Sequence, residues 1–109
     1  MTESPGADVQ ARIHEGAVHI TLSGEIDLAN VEATENKLLD AITDETTTVA
    51  VDLSHVDYID STGVRILFTL ATRLRVLHIP LVFIAALDSP VRQVVALSGL
   101  ESVAPLQSP

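Results

Sequence analysis

Two short apolar segments separated by a helical pattern constrain the fold of this 109-residue chain more than any other feature. Thr48 to Leu53 reads TVAVDL and Leu81 to Ala86 reads LVFIAA, with many β-branched residues and almost no polar alternation. Strands of this kind usually lie in a parallel sheet that helices cover on both faces. The two segments therefore predict an α/β fold with both faces of these strands covered.

The segment between these strands, from about Ser61 to Leu77, has helical periodicity with Asp60 as a candidate N-cap. With 100° per residue, four apolar residues fall within about 80° of Val64. These residues are Leu67, Phe68, Ala71 and Leu74. Because Ile66 and Leu70 lie on one flank of this stripe, we expect them to form an exposed apolar rim.

Two further helices are predicted from periodicity and from residues typical of helix ends. The first runs from about Leu28 to Ile42, and Asp27 or Asn30 could cap it. The next begins at Asp88-Ser89-Pro90, with proline at its first position, and ends at Ser98-Gly99.

Alternating apolar and polar residues near the N-terminus predict a β-hairpin. Val9, Ala11 and Ile13, and then Val18, Ile20 and Leu22, alternate with polar residues, and the Glu15-Gly16 pair between the two runs predicts a tight hairpin. Each strand is expected to bury one face, and Gly24 is expected to break the second. A last short strand is predicted over Ser102 to Leu106.

The resulting element order, β-β-α-β-α-β-α-(β), predicts a mixed sheet of four to five strands with three or more helices packed on it. We expect one domain over residues 8–106, a disordered N-terminal tail over 1–7 and a short C-terminal tail over 107–109.

Composition excludes several classes of function. Six basic against fifteen acidic residues give a net charge of −9, which opposes binding to nucleic acids and to anionic membranes. The chain has no cysteine, no apolar run of the roughly 20 residues that a membrane span needs, and no signal-peptide pattern at Met1 to Ala7. We therefore expect a cytoplasmic protein.

The motif Asp60-Ser61-Thr62-Gly63 lies where the third strand meets the second helix. Ser61 falls in the first helical turn, where free backbone N–H groups and the helix dipole favour an anion. A phosphate on Ser61 would add about −1.5 to −2 charge there. In the alternative interpretation, which spacing alone favours, Asp60 and Ser61 only cap the helix and Gly63 allows close packing.

Other reactive arrangements lack their necessary residues. Asp52 ends a predicted strand, as receiver-domain phosphoacceptors do, but the only lysine is Lys37 in the first helix. Ser61 is outside a G-x-S-x-G motif, and the histidines have no i, i+4 spacing. We expect no enzymatic activity, no metal site and no cofactor.

Four stretches in chain order resemble STAS domains, specifically those of bacterial anti-sigma factor antagonists, over roughly residues 9 to 104. They are Leu22-Ser23-Gly24-Glu25-Ile26-Asp27; then Val51-Asp52-Leu53-Ser54 followed by Val56, Ile59 and Asp60-Ser61-Thr62-Gly63-Val64; then Pro90-Val91; and finally Leu97-Ser98-Gly99-Leu100.

The resemblance implies a protein that is a ligand and kinase substrate and is not an enzyme. In this family, the unphosphorylated antagonist binds an anti-sigma factor serine kinase and releases the sigma factor. Phosphorylation, here of Ser61, disables binding, and a PP2C-type phosphatase reverses it. The partner kinase would supply ATP and magnesium. Asp27 matches an aspartate that the family places near the phosphosite, and Asp60, Thr62 and Gly63 adjoin that site.

Arg65 and Thr69 are expected to extend the partner-binding surface along the exposed side of the second helix, although Arg65 could equally serve helix solubility. The alternative function is a STAS binding or scaffold subunit without a phosphoswitch, in a lipid-transport or stress-signalling complex. Many relatives continue into another helix beyond the point that corresponds to Pro109. We therefore also expect one sheet face to be less covered or used for pairing.

Overall fold

The computed structural model describes residues 7–109, which form one five-stranded sheet with helices. The strands lie side by side in chain order, β1 antiparallel to β2 and all other neighbours parallel, so the predicted mixed α/β sheet is confirmed. The elements are β1 Asp8–His14, β2 Ala17–Ile26, α1 Val31–Asp40, β3 Thr48–Ile59, α2 Ser61–Val76, β4 Leu81–Ile84, α3 Arg92–Leu97, a 3₁₀ turn Leu100–Ser102 and β5 Leu106–Gln107.

The predicted hairpin is present, but β1 does not bury one face. Glu15 and Gly16 both have positive φ, 50° and 86°, as a two-residue type I′ turn requires. β1 lies at the edge of the sheet and is exposed except for a half-buried Val9, and Ile13 is 60% exposed. The prediction for β1 was wrong because alternation marks a strand without showing whether anything covers it.

The two faces of the sheet are covered unequally. On the face toward the core, Ile20, Val51 and Phe83 are fully buried. On the opposite face no described residue of the sheet is fully buried, and even the central Ala50 and Ile84 are only half-buried. The prediction that both faces are covered was wrong, and the expectation of one less covered face agrees with the structure.

β2 and β3 are longer than predicted and run directly into the loops that hold the candidate site. Gly24 does not end β2. Its φ of 86° accommodates a shift in register between Gly24 and Glu25, after which pairing with β3 resumes up to Ile26 and Ile59. As a consequence Asp52 lies in the middle of β3 and not at the end of a strand.

The buried face of α2 is rotated from the predicted one. Ile66 and Leu70 are 4% and 2% exposed, so they form part of the core and the predicted apolar rim does not exist. Val64 and Phe68 are only half-buried. α2 packs against both α1 and the sheet, and these two contacts cover a wide arc of the helix.

The remaining boundaries shift by a few residues. α1 begins at Val31, and α3 begins at Arg92, so Pro90 precedes the helix in a turn instead of occupying its first position. The predicted last strand is divided into the 3₁₀ turn and β5.

The described chain extends slightly beyond the predicted domain at both ends. Ala7 is buried, and Gln107 pairs with Ile84, while residues 1–6 of the predicted N-terminal tail lie outside the described residues. Within residues 7–109 no helix has the length and apolar character needed to cross a membrane.

Candidate functional site

The carboxyl ends of β2 and β3 bring Asp27 and Asp60 to the same edge of the sheet. The last paired residues are Ile26 and Ile59, and each is followed directly by its aspartate. The backbone N–H of Asp60 donates to the carbonyl of Ile26 at 3.1 Å, an ordinary distance for a backbone hydrogen bond. The parallel pairing of two strands therefore positions two loops that are 33 residues apart in sequence.

Asp60 is the N-cap of α2, as the sequence predicted. Its Oδ1 accepts hydrogen bonds from the backbone N–H groups of Thr62 and Gly63, at 2.9 and 3.0 Å, and from the Thr62 hydroxyl. Its Oδ2 accepts from the N–H of Leu28 at 3.1 Å. One carboxylate thus stabilises the start of α2 and fastens the loop after β2 to it.

These hydrogen bonds also keep Asp60 ionised. The pKa of Asp60 is lowered below its ordinary value, first by the hydrogen bond from the Thr62 side chain and then by the backbone N–H of Gly63. Partial desolvation acts in the opposite direction but does not prevail. The site therefore contains a fixed negative charge directly beside Ser61.

Asp27 and Asn30 organise the loop between β2 and α1. Asp27 Oδ1 accepts from the N–H of Ala29 at 3.0 Å, and the N–H of Asp27 donates to Asn30 Oδ1 at 3.1 Å. The buried Asn30 side chain donates to the carbonyl of Glu25 at 2.8 Å and does not cap α1. Of the two predicted caps, neither side chain serves α1; both hold this loop in place.

Ser61 is the exposed hydroxyl of the motif. It is the first residue of α2, its side chain is exposed, and no hydrogen bond within residues 7–109 involves its Oγ. Thr62, the neighbouring hydroxyl residue, is half-buried and donates its hydroxyl proton to Asp60. A kinase would therefore find Ser61 accessible and Thr62 already engaged.

Gly63 is buried, and its role in the structure is packing. A Cβ atom at this position would lie 2.6 Å from Ile59 Cγ1 and 2.8 Å from Ile26 Cγ2. These distances are shorter than real Cβ contacts, so only glycine allows α2 to start this close to the ends of β2 and β3. The sequence-based interpretation of Gly63 as a close-packing residue agrees with this geometry.

The exposed face of α2 carries the other predicted contact residues. Ser61, Arg65 and Thr69 recur every four residues, fall within about 80° of one another around the helix, and are all exposed. The Thr69 hydroxyl donates back to the carbonyl of Arg65 at 3.0 Å. We call these three residues the Ser61 face. It lies opposite the buried side of α2 and is free to meet another molecule.

The sequence analysis missed two exposed leucines at the same edge of the sheet. Leu28, in the loop after β2, is 72% exposed, and Leu87, shortly after β4, is 75% exposed. Leu28 follows the carboxyl end of β2 and Leu87 follows that of β4, and these ends lie at the same edge because the strands are parallel. The sequence offers no signal for their exposure, because single apolar residues are common on protein surfaces.

The described residues hold no group of three or more His, Asp or Glu side chains that could bind a metal. Asp52 accepts a hydrogen bond from the N–H of Ser54 at 2.9 Å and faces the less covered side of the sheet. The Ser54 hydroxyl in turn accepts from the N–H of Ala86 at 2.9 Å. These contacts connect β3 to the loop after β4 and are structural.

The fold is a small α/β domain. At its candidate site the exposed Ser61 begins α2, and Asp60 caps that helix. Residues 8–108 match the STAS domain family, and the chain belongs to that family. BtrV of Bordetella bronchiseptica, which is designated an anti-sigma factor antagonist, is 33% identical over 92 residues, covering 84% of this chain and 78% of BtrV.

Solved structures of similar proteins share this architecture. An anti-sigma factor antagonist from Mycobacterium paratuberculosis superposes with a TM-score of 0.80 at 23% identity, covering 97% of this chain and 90% of that one. The Bacillus cell fate determinant SpoIIAA, in its phosphorylated form, superposes with a TM-score of 0.70 at 25% identity, covering 94% and 91%. The expected STAS fold is therefore confirmed.

Proposed function

We propose that this protein is an anti-sigma factor antagonist that is switched off by phosphorylation of Ser61. In the unphosphorylated form it binds an anti-sigma factor serine kinase through the Ser61 face and the loop at Asp27 and Leu28, and the sigma factor is released. The observation that carries the proposal is the exposed Ser61 hydroxyl, which makes no hydrogen bond within residues 7–109. It lies beside Asp60, whose carboxylate joins the loop after β2 to the start of α2. The similarity to BtrV, which is designated an anti-sigma factor antagonist, supports it.

The position of Asp60 explains how a phosphate would prevent binding. The N–H groups of Thr62 and Gly63, which could otherwise bind a phosphate at the helix start, already donate to Asp60. A phosphate on Ser61 would therefore add its charge next to an ionised carboxylate without gaining these two donors. Water can solvate both charges in the free protein, so the domain keeps its fold.

The penalty arises when a partner covers the site and removes that water. An uncompensated charge at a closed interface costs several kcal/mol, and about 3 kcal/mol lowers affinity more than 100-fold. Phosphorylation would thus act at the interface, without a change in the shape of the domain.

The protein itself would contribute no catalysis in this cycle. The partner kinase supplies ATP and Mg²⁺ and transfers the γ-phosphoryl group to the Ser61 hydroxyl, and a PP2C-type phosphatase removes it. Arg65 and Thr69 would affect the choice of partner, since they lie on the same helix face as the acceptor.

The proposal is tested by incubating the protein with candidate anti-sigma factor kinases and ATP, followed by phosphopeptide mapping. We expect phosphate on Ser61 in the wild type and in Thr62→Ser, which preserves the hydroxyl bonded to Asp60, and none in Ser61→Ala. Phosphate on Thr62 would contradict the assignment of the site. Binding to a partner without any phosphorylation would favour the alternative, a non-switching STAS binding or scaffold subunit.

A further inference from the structure

The outer edge of β1 is a seven-residue strand edge with no strand beside it within residues 7–109. β1 pairs with β2 alone, and six of its seven residues are exposed. A free edge of this length offers unpaired N–H and C=O groups to another strand. The edge is separate from Asp60 and Ser61, so the switch proposed above does not account for it.

The turn fixes which backbone groups of β1 point outward. A two-residue hairpin closes on a hydrogen-bonded pair, here His14 and Ala17. Because hydrogen-bonded and non-hydrogen-bonded pairs alternate, every second residue from His14 directs its N–H and C=O to β2. The residues between them direct these groups away from β2, and they are Val9, Ala11 and Ile13.

The sequence of β1 is complementary to itself when it is reversed about Ala11. In DVQARIH, an antiparallel second copy centred on this residue places Asp8 opposite His14 of the second copy, and Gln10 opposite its Arg12. Val9 then lies opposite Ile13 of the second copy, and Ala11 opposite its own counterpart. The acidic Asp8 thus meets a histidine, the Gln10 amide meets an arginine, apolar residues meet apolar ones, and no like charges face each other.

The same register satisfies the hydrogen bonds. Ala11 with its counterpart, and Val9 with Ile13 in both directions, are the pairs whose N–H and C=O groups point outward, so three pairs exchange six bonds. The charged and amide side chains fall on the intervening pairs, where side chains approach most closely. Ile13, which is 60% exposed, would be covered by Val9 of the second copy.

We propose that two copies of this chain associate through β1 in this two-fold antiparallel register and form one continuous ten-stranded sheet. Chains that share a symmetric patch pair most simply as a two-fold dimer. The dimer would present two Ser61 faces to its partners.

The test combines mass measurement with a single introduced cysteine, since the chain has none of its own. Light scattering over a range of concentrations should show twice the monomer mass for the wild type. Ala11→Pro should remain monomeric with a native circular dichroism spectrum, because proline is tolerated where the N–H points away from the neighbouring strand. Ala11→Cys should form an intermolecular disulfide on oxidation, since paired strands bring these positions within disulfide reach.

His14→Cys is the matched control. Position 14 is also exposed and lies on the same strand. In the proposed register it is about 20 Å from position 14 of the second copy, so a cysteine there should not cross-link. A wild type that stays monomeric at every concentration would overturn the proposal. So would Ala11→Cys cross-linking no faster than His14→Cys, or Ala11→Pro retaining the dimer mass.

Discussion

The two faces of α2 differ in the contacts that their side chains make with the rest of the protein. The buried face contacts the sheet and α1, and it begins with a glycine whose position admits no side chain. The residues of the Ser61 face are exposed, and within residues 7–109 their one side-chain hydrogen bond runs from the Thr69 hydroxyl to the Arg65 carbonyl in the same helix. We therefore expect that substitutions on the buried face change stability and that substitutions on the Ser61 face change partner binding.

The largest expected effect on stability is on the buried face. Leu74 is fully buried, so Leu74→Ala should lower the free energy of unfolding by about 2–5 kcal/mol through lost burial and a residual cavity. Denaturant unfolding followed by circular dichroism measures this loss. Val76→Ala is the control on the same helix, because Val76 is 72% exposed, and it should change stability by less than about 0.5 kcal/mol. Equal losses in the two variants would contradict the assignment of the faces.

Gly63→Ala should produce the next largest loss. The added methyl group would overlap Ile59 and Ile26, and such overpacking costs about 1–3 kcal/mol. Alanine favours a helix over glycine by about 1 kcal/mol, so the net loss should be up to about 2 kcal/mol. Thermal unfolding should therefore show a lower midpoint for Gly63→Ala than for the wild type. A raised midpoint would show that α2 can move away from the strand ends without penalty.

The Ser61 face should behave in the opposite way. Arg65→Ala and Thr69→Ala should each weaken binding to the anti-sigma factor partner by about 0.5–1 kcal/mol, as contacts at the rim of an interface do. Stability should change by less than about 0.5 kcal/mol because both side chains are exposed. Calorimetric titration measures the affinity. Arg75→Ala, about 21 Å along the helix from Ser61, is the control and should bind as the wild type does.

The smallest effect concerns acid stability at Asp60. Its pKa is lower in the folded protein than in the unfolded chain, so ionised Asp60 contributes stability above its unfolded pKa, near 4. That contribution is lost as the pH falls through the lower, folded pKa. Thermal midpoints of the wild type and Asp60→Asn, measured from neutral pH downward, should therefore differ most at neutral pH and converge in acid. A difference that widened in acid would reverse the sign of this linkage.

The sequence predicted the order of elements and the position of the motif because each depends on local pattern. The capping role of Asp60 follows from its place directly before a helical period, and the structure confirms it. The continuation of β3 to Ile59 was missed because the polar residues Ser54, His55 and Asp57 interrupt the apolar run of its first half. Both halves are strand, and the second half also contributes Val56 and Ile59 to the core.

Other features depended on tertiary contacts that no local pattern carries. Ile66 and Leu70 are buried on a helix that packs against both α1 and the sheet. Periodicity locates the centre of an apolar stripe but does not show how wide an arc of the helix neighbouring elements cover. The hydrogen bond from Leu28 to Asp60 joins residues 32 apart in sequence. It could be found only once the strands were paired.

If charge on Ser61 decides whether the partner binds, a titration of the partner against Ser61 variants will show it. The affinity of an anti-sigma factor kinase for the wild type is compared with that for Ser61→Asp and Ser61→Ala, with circular dichroism confirming that all three are folded. We expect Ser61→Asp to bind more than 100-fold more weakly, a loss of about 3 kcal/mol, while Ser61→Ala binds like the wild type. Ser61→Asp binding as tightly as the wild type would contradict the switch.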